Sequence, residues 1–394
     1  MNKRWVKFPE VLFFQEGPGV RNTQYTSEGV KLLNVANLVN GKVDISNSDR
    51  FISRDEAYGK YKHFLCDNGD FIVASSGIKV EYIDKKMGFI DKSMLPLCMN
   101  TSTIRFKVLN SKELNIRYFM YYLKSRHFKL QLAKQITGSA QLNYGPSHLK
   151  DMCIPIVDIY IQNNIVEILD KIQNIIDTYE VKIEKLDILV KARFVEMFGD
   201  PIKNQKGWDI VTIGDIVTDV RYGTSKPAVD GGKYSYLRMN NLTADGHLDL
   251  NDMKYIDISE DEIEKYIVRK GDVLFNRTNS IDLVGKTVVF DLSENMVIAG
   301  YIIRVRFNER LLPEVFAQYM NLEALKDILR SMAKGAVNQA NINAQELQSI
   351  KVYVPDIKLQ EHFVDIKEQV NKSKVVSQHT TSNPYIQNLN FAVK

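Results

Sequence analysis

Residues 161–198 read IQNNIVEILDKIQNIIDTYEVKIEKLDILVKARFVEMF and contain neither glycine nor proline. Apolar residues recur there mostly three and four positions apart, which is the spacing that lines one face of an α-helix, and Glu and Lys fill many other positions. Residues 199–201, Gly-Asp-Pro, follow as a turn whose proline cannot continue a helix. The segment therefore predicts one long amphipathic helix with an apolar face that needs a cover.

Length and composition limit the class of protein. A chain of 394 residues exceeds one typical domain, so we expect two folded domains. The 52 basic and 48 acidic residues leave a formal charge of +4, which gives weak support for an acidic partner such as nucleic acid. No apolar run approaches the ~18 residues that span a bilayer, and the first residues lack the pattern of a signal peptide. These features predict a soluble, cytoplasmic protein without a membrane partner.

Cysteine and histidine usage gives no sign of a metal site. Cys66, Cys98 and Cys153 are odd in number, far apart and without CxxC spacing. This pattern argues against both a disulfide framework and a zinc site. The six histidines show no paired metal-ligand spacing. We therefore predict a reducing compartment, no bound metal and no cofactor.

The second half of the chain repeats the first. Asp158-Ile159-Tyr160-Ile161-Gln162, at the start of the long helix, aligns with Asp356-Ile357-Lys358-Leu359-Gln360. Further upstream, Gly69-Asp70-Phe71-Ile72-Val73 aligns with Gly271-Asp272-Val273-Leu274-Phe275. The duplication predicts two similar α+β (α/β) domains, each followed by a long helix.

Local patterns place the elements within each repeat. Short β-branched or aromatic runs predict strands at 71–73, 104–106, 288–290 and 302–305. The segments 115–134 and 313–333 have a more helical pattern. The predicted boundaries are a first domain at 1–155, a central helix within 157–200, a second domain at 206–355, a second helix at 357–378 and an irregular tail at 379–394.

Two long amphipathic helices in one chain can cover each other's apolar faces. Because a domain lies between them in the sequence, they can pair antiparallel and form a rod with approximate twofold symmetry. The alternative is that each helix packs only on its own domain. The second helix looks short, because its apolar stripe gives way to Asn371-Lys372-Ser373-Lys374 and residues 377–384, SQHTTSNP, are turn-like.

Several short segments, most of them present in both halves, carry a further signal. They are Gly271-Asp272-Val273-Leu274-Phe275-Asn276-Arg277-Thr278, the loops Gly138-Ser139-Ala140-Gln141 and Gly335-Ala336-Val337-Asn338, the pairs Ile154-Pro155 and Val354-Pro355, and Gln162 and Gln360. In this order, and followed each time by a long helix, these segments resemble the specificity subunit of type I restriction–modification enzymes. The resemblance covers almost the whole chain.

The resemblance implies an α+β protein with two target recognition domains joined by a pair of long antiparallel helices. Each domain would read one half of a split DNA sequence, and the helices would set the spacing between the halves. The resemblance further implies a subunit without catalysis or a cofactor of its own. Such a subunit binds double-stranded DNA, two adenine methyltransferase subunits and, for cleavage, ATP-driven restriction subunits. The short second helix departs from the family pattern, in which the second helix matches the first.

Loops in three equivalent places of the two halves carry side chains suited to DNA. Arg reads guanine edges and Asn or Gln reads adenine edges in the major groove, while Lys and Ser hold phosphates. The candidates in the first half are Arg21, Asn22, Gln24, Ser75, Ser76, Lys79, Gln141 and Asn143. Those in the second half are Arg221, Tyr222, Thr224, Lys226, Asn276, Arg277, Thr278, Asn279, Asn338 and Gln339, of which Arg277 is the strongest.

Each of these candidates has a structural alternative. Any single loop could be a solvated turn, and Arg277 could form a salt bridge on the domain surface. The loops at 138 and 335 could instead cap the long helices or join them to the domains.

Motifs for catalysis are incomplete. Gly285-Lys286-Thr287 resembles the end of a P-loop, but Ser280 stands where its first glycine is required. Asn383-Pro384-Tyr385 lacks the second proline of the adenine methyltransferase loop. Glu180-Val181-Lys182 resembles a nuclease motif but falls in the middle of the long helix among other charges. We therefore predict no catalytic residue.

The rival interpretation of the whole chain is a coiled-coil scaffold whose two β-rich modules bind protein or peptide.

Overall fold

The computed structural model describes residues 4–47, 49–135, 142–333 and 339–382. The chain divides into two compact units: unit 1 comprises Met1–Tyr179 together with the residues from His379 onward, and unit 2 comprises Glu180–Gln378. Within the described residues, no helix combines the length and the apolar character needed to cross a membrane.

Unit 1 consists of short strands and five short helices among its described residues, followed by the first part of a long helix. Its strands are β1 (Arg4–Lys7), β2 (Leu12–Glu16), β3 (Val30–Leu33), β4 (Leu38–Val39), β5 (Lys42–Val43), β6 (Phe51–Ile52), β7 (Phe71–Ala74), β8 (Ser76–Ile78), β9 (Met87–Phe89), β10 (Leu97–Met99), β11 (Thr103–Val108), β12 (Leu142–Asn143) and β13 (Cys153–Ile156). Its helices are α1 (Phe8–Val11), α2 (Arg54–Tyr58), α3 (Ile116–Lys124), α4 (Arg126–Gln135) and α5 (Pro146–Leu149), and the long helix is α6 (Ile159–Phe198).

Unit 2 contains the rest of α6 and a similar succession of elements. Its strands are β14 (Asp209–Thr212), β15 (Val217–Tyr222), β16 (Tyr234–Leu237), β17 (Lys254–Ile256), β18 (Ile267–Val268), β19 (Val273–Asn276), β20 (Thr278–Asn279), β21 (Thr287–Val289), β22 (Met296–Ile298), β23 (Ile302–Phe307), β24 (Ala340–Asn341) and β25 (Lys351–Val354). Its helices are α7 (Ile263–Tyr266), α8 (Pro313–Met320), α9 (Glu323–Met332), α10 (Ala344–Ser349) and α11 (Ile357–Ser382).

A four-stranded antiparallel sheet forms the centre of each unit, in the order β2-β11-β7-β9 in unit 1 and β15-β23-β19-β21 in unit 2. The inner strand β19 is buried along its whole length. Val273 and Phe275 pack with α8 and α9, whereas Leu274 packs with the second sheet. A strand covered on both faces is apolar at successive positions, which explains the runs that the sequence shows here. The common strand order confirms the predicted duplication at the level of topology.

The second sheet of each unit contains one parallel strand pair. In unit 1 its order is β10-β3-β6, and in unit 2 it is β17-β16-β22-β18. Strands β10 and β3 are parallel, as are β22 and β16. The parallel strand pair of the second sheet is therefore also repeated in the two units.

In each unit a pair of helices follows the last strand of the central sheet in sequence, β11 in unit 1 and β23 in unit 2. The segments 115–134 and 313–333 were predicted as helical, and both are broken into two helices, α3–α4 and α8–α9. Ser125 and Leu322 have extended backbone at the breaks, and the first helix of each pair is largely buried. The break turns the second helix back onto the core, and apolar periodicity alone does not show it.

A buried glutamine holds the start of each long helix against its domain. Gln162 accepts a hydrogen bond from the Asn115 N–H at 3.0 Å and donates to the carbonyls of Glu113 and Val157 at 2.7 and 2.8 Å. Gln360 makes the same three kinds of bond at the start of α11. Both side chains are fully buried. The aligned glutamines therefore have one structural role, repeated.

Helix α11 packs antiparallel on the part of α6 that belongs to unit 2. Phe363 lies edge-on to Phe194 and Phe198, with ring centroids 5.3 and 5.5 Å apart, while Lys374 pairs with Asp187. Later residues of α11 thus meet earlier residues of α6. The same aromatic cluster includes domain residues such as Tyr319, so α11 covers α6 and its own domain together.

The second helix is longer than the sequence indicated. It was predicted to end at 378, before an irregular tail from 379, and it continues to Ser382. The apolar stripe stops near residue 371, but α11 remains paired with α6 at least as far as Lys374. Lys374 is buried and forms an ion pair with Asp187, so a charged residue takes the place of an apolar one in the seam.

Candidate nucleic-acid interface

The strongest candidate, Arg277, lies directly after the buried strand β19. Its N–H donates to the Tyr301 carbonyl at 3.0 Å, and its carbonyl accepts from the Ile342 N–H at 2.9 Å. The next strand, β20, pairs with β24. Main-chain hydrogen bonds on both sides therefore fix the position of Arg277 at the end of the central sheet.

The Arg277 side chain lies across an aromatic ring. Its guanidinium carbon is 4.9 Å from the centroid of the Tyr222 ring. Nη1 donates a long bond of 3.4 Å to the Gly300 carbonyl, and Nε is buried without a partner. No hydrogen-bond partner of Nη2 occurs among the described residues. The stacked, half-buried guanidinium therefore keeps donor capacity for a ligand.

Tyr222 is held by the start of a short helix. Its hydroxyl accepts a hydrogen bond from the Ala344 N–H, the first residue of α10, at 2.7 Å. The side chain stays 42% exposed. One end of the tyrosine is thus anchored, and its ring forms a platform for Arg277. We name Tyr222, Arg277 and the start of α10 the strand-end cluster of unit 2.

Unit 1 builds the same arrangement with different chemistry. Ser75 follows the buried strand β7, and its carbonyl accepts from the Tyr144 N–H at 2.9 Å. Its hydroxyl donates to Oε1 of Glu16 at 3.4 Å. Oε2 of Glu16 lies near Gly145, where an added Cβ would be 3.3 Å away. We name Glu16, Ser75 and the start of α5 the strand-end cluster of unit 1.

Sheet register shows that Glu16 and Tyr222 are equivalent. Each is the last residue of the edge strand, paired with Ile104 of β11 and Ile303 of β23 respectively. The glycine after each is tightly packed, because a Cβ would lie 2.1 Å from the Asn100 carbonyl oxygen in unit 1. In unit 2 the corresponding separation, from the Ile298 oxygen, is 2.2 Å. At this strand end the two copies therefore place different side chains at equivalent backbone positions.

Some of the predicted site residues of unit 2 have side chains buried inside the domain. Asn276 and Thr278 are buried, and the Asn276 amide donates to the carbonyls of Thr278 and Tyr301 at 3.1 and 3.2 Å. Thr224 is buried too and accepts from the Lys226 N–H. Because their polar groups are used inside the domain, Asn276, Thr278 and Thr224 brace the cluster from within.

The remaining candidates of unit 2 are at least partly accessible. Arg221 pairs with Asp219 at 2.9 Å, and Lys226 pairs with Glu262 at 2.5 Å. Asn279 is half-buried on β20. Gln339 is exposed just before β24. Asn338 lies outside the described residues.

Unit 1 shows a similar division. Arg21, Asn22, Lys79 and Asn143 are exposed, and Ser76 is half-buried. Gln24 is used internally, since its amide donates to Glu56 at 2.6 Å and to the Tyr61 hydroxyl at 3.0 Å. Ser75 is buried, with its hydroxyl turned toward Glu16. Gln141, with residues 136–140, and residues 334–337 also lie outside the described part of the chain.

Glu16 was missed by sequence reasoning. A carboxylate repels phosphate, so only basic, amide and hydroxyl side chains on loops indicate DNA contact from residue type alone. The available signal was positional, because Glu16 aligns with Tyr222 once the strands are paired in register.

A second polar cluster of unit 2 lines a pocket between the helix pair and the loop before residue 248. Its ionisable residues are Asp187, Lys191, Asp245, His247, Lys367 and Lys374. Burial lowers the pKa of His247, and Asp245 partly offsets this effect. Burial also lowers the pKa of Lys367 to about 8. Across the described residues, no group of three or more His, Cys, Asp or Glu side chains is arranged to hold a metal ion.

Comparisons with known proteins agree with this architecture. A profile of the family described as "Type I restriction modification DNA specificity domain" matches residues 25–187 and 205–383. The EcoKI specificity subunit of Escherichia coli K12 is 24% identical over 269 residues, covering 64% of this chain and 58% of that protein. The putative MjaX specificity subunit of Methanocaldococcus jannaschii is 28% identical over 163 residues, covering 40% and 38%. The chain thus spans less than two thirds of the length of these relatives.

A solved structure shows the same fold over the full chain. The S subunit of a type I restriction–modification system from M. genitalium superposes with a TM-score of 0.54 at 16% identity, covering 100% of this chain and 97% of that one. The predicted fold class and the predicted family resemblance are both confirmed. Because the family profile matches most of its length in two copies, the chain belongs to the type I restriction modification DNA specificity domain family.

Proposed function

We propose that this chain is the DNA-reading specificity subunit of a type I restriction–modification system. The observation that carries the proposal is the strand-end cluster, which occurs once in each unit of a protein of this family. Each unit binds one half of a split target sequence in duplex DNA. The described candidates that remain for DNA contact are Arg21, Asn22, Ser76, Lys79, Asn143, Arg221, Tyr222, Lys226, Arg277, Asn279 and Gln339, together with Glu16.

The charges at these positions suit the two tasks of a DNA-binding surface. Each unit has basic side chains that can move from internal or solvent contacts to phosphates, which position the protein. They are Arg21 and Lys79 in unit 1 and Arg221 and Lys226 in unit 2. The intramolecular pairs of Arg221 and Lys226 lie at the surface, where ion pairs contribute little to stability, so DNA phosphates can replace them at little cost.

The subunit performs no chemistry in this proposal. It recruits two adenine methyltransferase subunits and, for cleavage, ATP-driven restriction subunits, and it acts on chromosomal or invading DNA in the cytoplasm. Helix α6, with 40 residues, is about 60 Å long and contributes to both units. We propose that its length determines the number of unread base pairs between the two half-sequences.

The test is duplex binding by the full chain, alone and with its methyltransferase subunits, at two salt concentrations. Phosphate contacts release counterions, so the affinity should fall steeply as salt increases. Specific sequences recovered from random duplexes should contain two conserved half-sequences separated by a fixed unread interval. Failure to bind any duplex, with or without the methyltransferase, would remove the proposal and favour the protein-binding scaffold.

A further inference from the structure

We infer that the two units read their half-sequences with opposite chemistry, Arg277 of unit 2 taking a guanine and Glu16 of unit 1 taking a cytosine. This inference rests on the proposed function, because it assigns bases to the surface that binds DNA. It follows from the two strand-end clusters, which lie at equivalent positions of the sheet but place a cation in one unit and an anion in the other.

Arg277 has the geometry of a base reader and not of a mobile phosphate clamp. Its guanidinium is confined by the Tyr222 ring at 4.9 Å, and Nε is buried and unable to reach a ligand. The donors left are those on the two terminal nitrogens. Two parallel donors from one planar group match O6 and N7 of guanine, which are the paired acceptors in the major groove.

The existing contact of Arg277 does not compete strongly with a base. The bond from Nη1 to the Gly300 carbonyl is 3.4 Å long, at the outer limit of hydrogen bonding. No carboxylate pairs with Arg277 among the described residues, in contrast to Arg221 and Lys226. The guanidinium is therefore oriented in advance while its donors remain open, which limits the entropy lost on binding.

Glu16 occupies the place of Tyr222 and reverses the sign of the site. It is half-buried, and the described residues include no cation paired with it. Among the described residues its side chain has one hydrogen bond, from the Ser75 hydroxyl, and this bond is 3.4 Å long. A carboxylate on a DNA-facing surface is repelled by phosphates, so a favourable contact must come from a donor on a base edge.

Cytosine is the base that suits Glu16. In the major groove its N4 amino donor has an acceptor on one side only, O6 of the paired guanine, whereas the adenine N6 amino group lies between its own N7 and O4 of the paired thymine. A carboxylate only accepts hydrogen bonds, so it is opposed by two flanking acceptors at adenine and by one at cytosine. Glutamine, which both donates and accepts, matches adenine instead.

The experiment is selection of binding sites from random duplexes by the full chain with its methyltransferase subunits. The variants are Arg277→Lys, Glu16→Gln and, as a matched control, Arg193→Ala, whose exposed side chain pairs with Glu196 on α6. Arg277→Lys keeps the charge but removes the paired donors. It should reduce the preference for guanine at one position of one half-sequence about tenfold or more, and leave the other half-sequence unchanged.

Glu16→Gln should act on the other half-sequence alone, changing one preferred cytosine to adenine. Arg193→Ala should leave both half-sequences unchanged. Unchanged base preferences in Arg277→Lys or Glu16→Gln, or changes that fall in the same half-sequence, would overturn the inference. If the wild-type protein bound no duplex at all, the proposed function itself would be removed.

A measurement on the wild-type protein covers the case in which a variant does not fold. Duplexes lightly methylated at guanine N7 are sorted into bound and free fractions. If Arg277 contacts N7, methylation of one guanine in the half-sequence of unit 2 excludes that duplex from the bound fraction. Binding that tolerates N7 methylation at every guanine of both half-sequences would contradict the assignment.

Discussion

Replacement of Gln360 by leucine tests whether one buried amide anchors α11 to its domain. The Gln360 side chain is fully buried. Its oxygen accepts from the Leu312 N–H at 2.9 Å, and its nitrogen donates to the carbonyls of Arg310 and Pro355, each at 2.9 Å. Leucine has a similar volume but can make none of these three bonds.

The expected loss is large because the partners are main-chain groups. Gln360→Leu leaves one N–H and two carbonyls without their hydrogen-bond partner, and a buried group left unsatisfied costs about 1–3 kcal/mol. The three costs are not additive, since nearby backbone relaxes and water can enter. We expect unit 2 to lose about 2–5 kcal/mol of its free energy of unfolding.

The two tryptophans allow the units to be followed separately. Trp5 belongs to unit 1 and Trp208 to unit 2. Urea unfolding monitored by fluorescence in a Trp5→Phe background reports unit 2. There, Gln360→Leu should lower the midpoint clearly, whereas Gln369→Leu, at an exposed position of α11, should change stability by less than about 0.5 kcal/mol.

The matched variant lies in the other repeat. Gln162→Leu should destabilise unit 1 by a similar amount, measured through Trp5 in a Trp208→Phe background. If Gln360→Leu lowered the stability of unit 2 by less than about 1 kcal/mol, the three bonds would not anchor the helix and the reasoning from burial would be refuted.

Two further predictions concern the helix pair and the polar pocket of unit 2. Phe363→Ala removes a fully buried ring from contact with Phe194 and Phe198, so it should lower the free energy of unfolding in urea by about 3–5 kcal/mol. Val375→Ala, at an exposed position of the same helix, should lower it far less. Equally small losses in the two variants would contradict the pairing of the helices. Burial lowers the pKa of His247 below its ordinary value of 6.5, so the unfolded chain binds more protons and stability should fall as pH drops below about 6.5. In unfolding curves recorded at several pH values, His247→Gln should weaken the dependence of stability on pH. An unchanged pH dependence in this variant would contradict the role given to His247.

The fold was largely predictable because its main signals are periodic or repeated. The apolar stripe before Phe198 predicted α6, and the aligned Gln162 and Gln360 marked the two helix starts. What the sequence could not show depends on three-dimensional pairing. Lys374 looked like the end of a helix until its partner Asp187 was known, because an ion pair within a seam leaves no apolar signal.

The candidate site was less predictable than the fold. Polar residues next to a strand end are found both on binding surfaces and as internal braces, and only burial separates Arg277 from Asn276. Glu16 could not be found by residue type, since a carboxylate alone does not indicate DNA. Its assignment needed the register that places it opposite Ile104.

In the proposed function each unit reads one half-sequence while α6 sets the interval between them. The most direct measurement duplicates residues 173–179 after Tyr179, which adds one heptad in register before the Asp187–Lys374 ion pair, and determines the target by methylation profiling. One heptad adds about 10.5 Å of helix, or about three base pairs. Both half-sequences should remain as in the wild type and their separation should increase. A changed half-sequence, or an unchanged separation, would contradict the account.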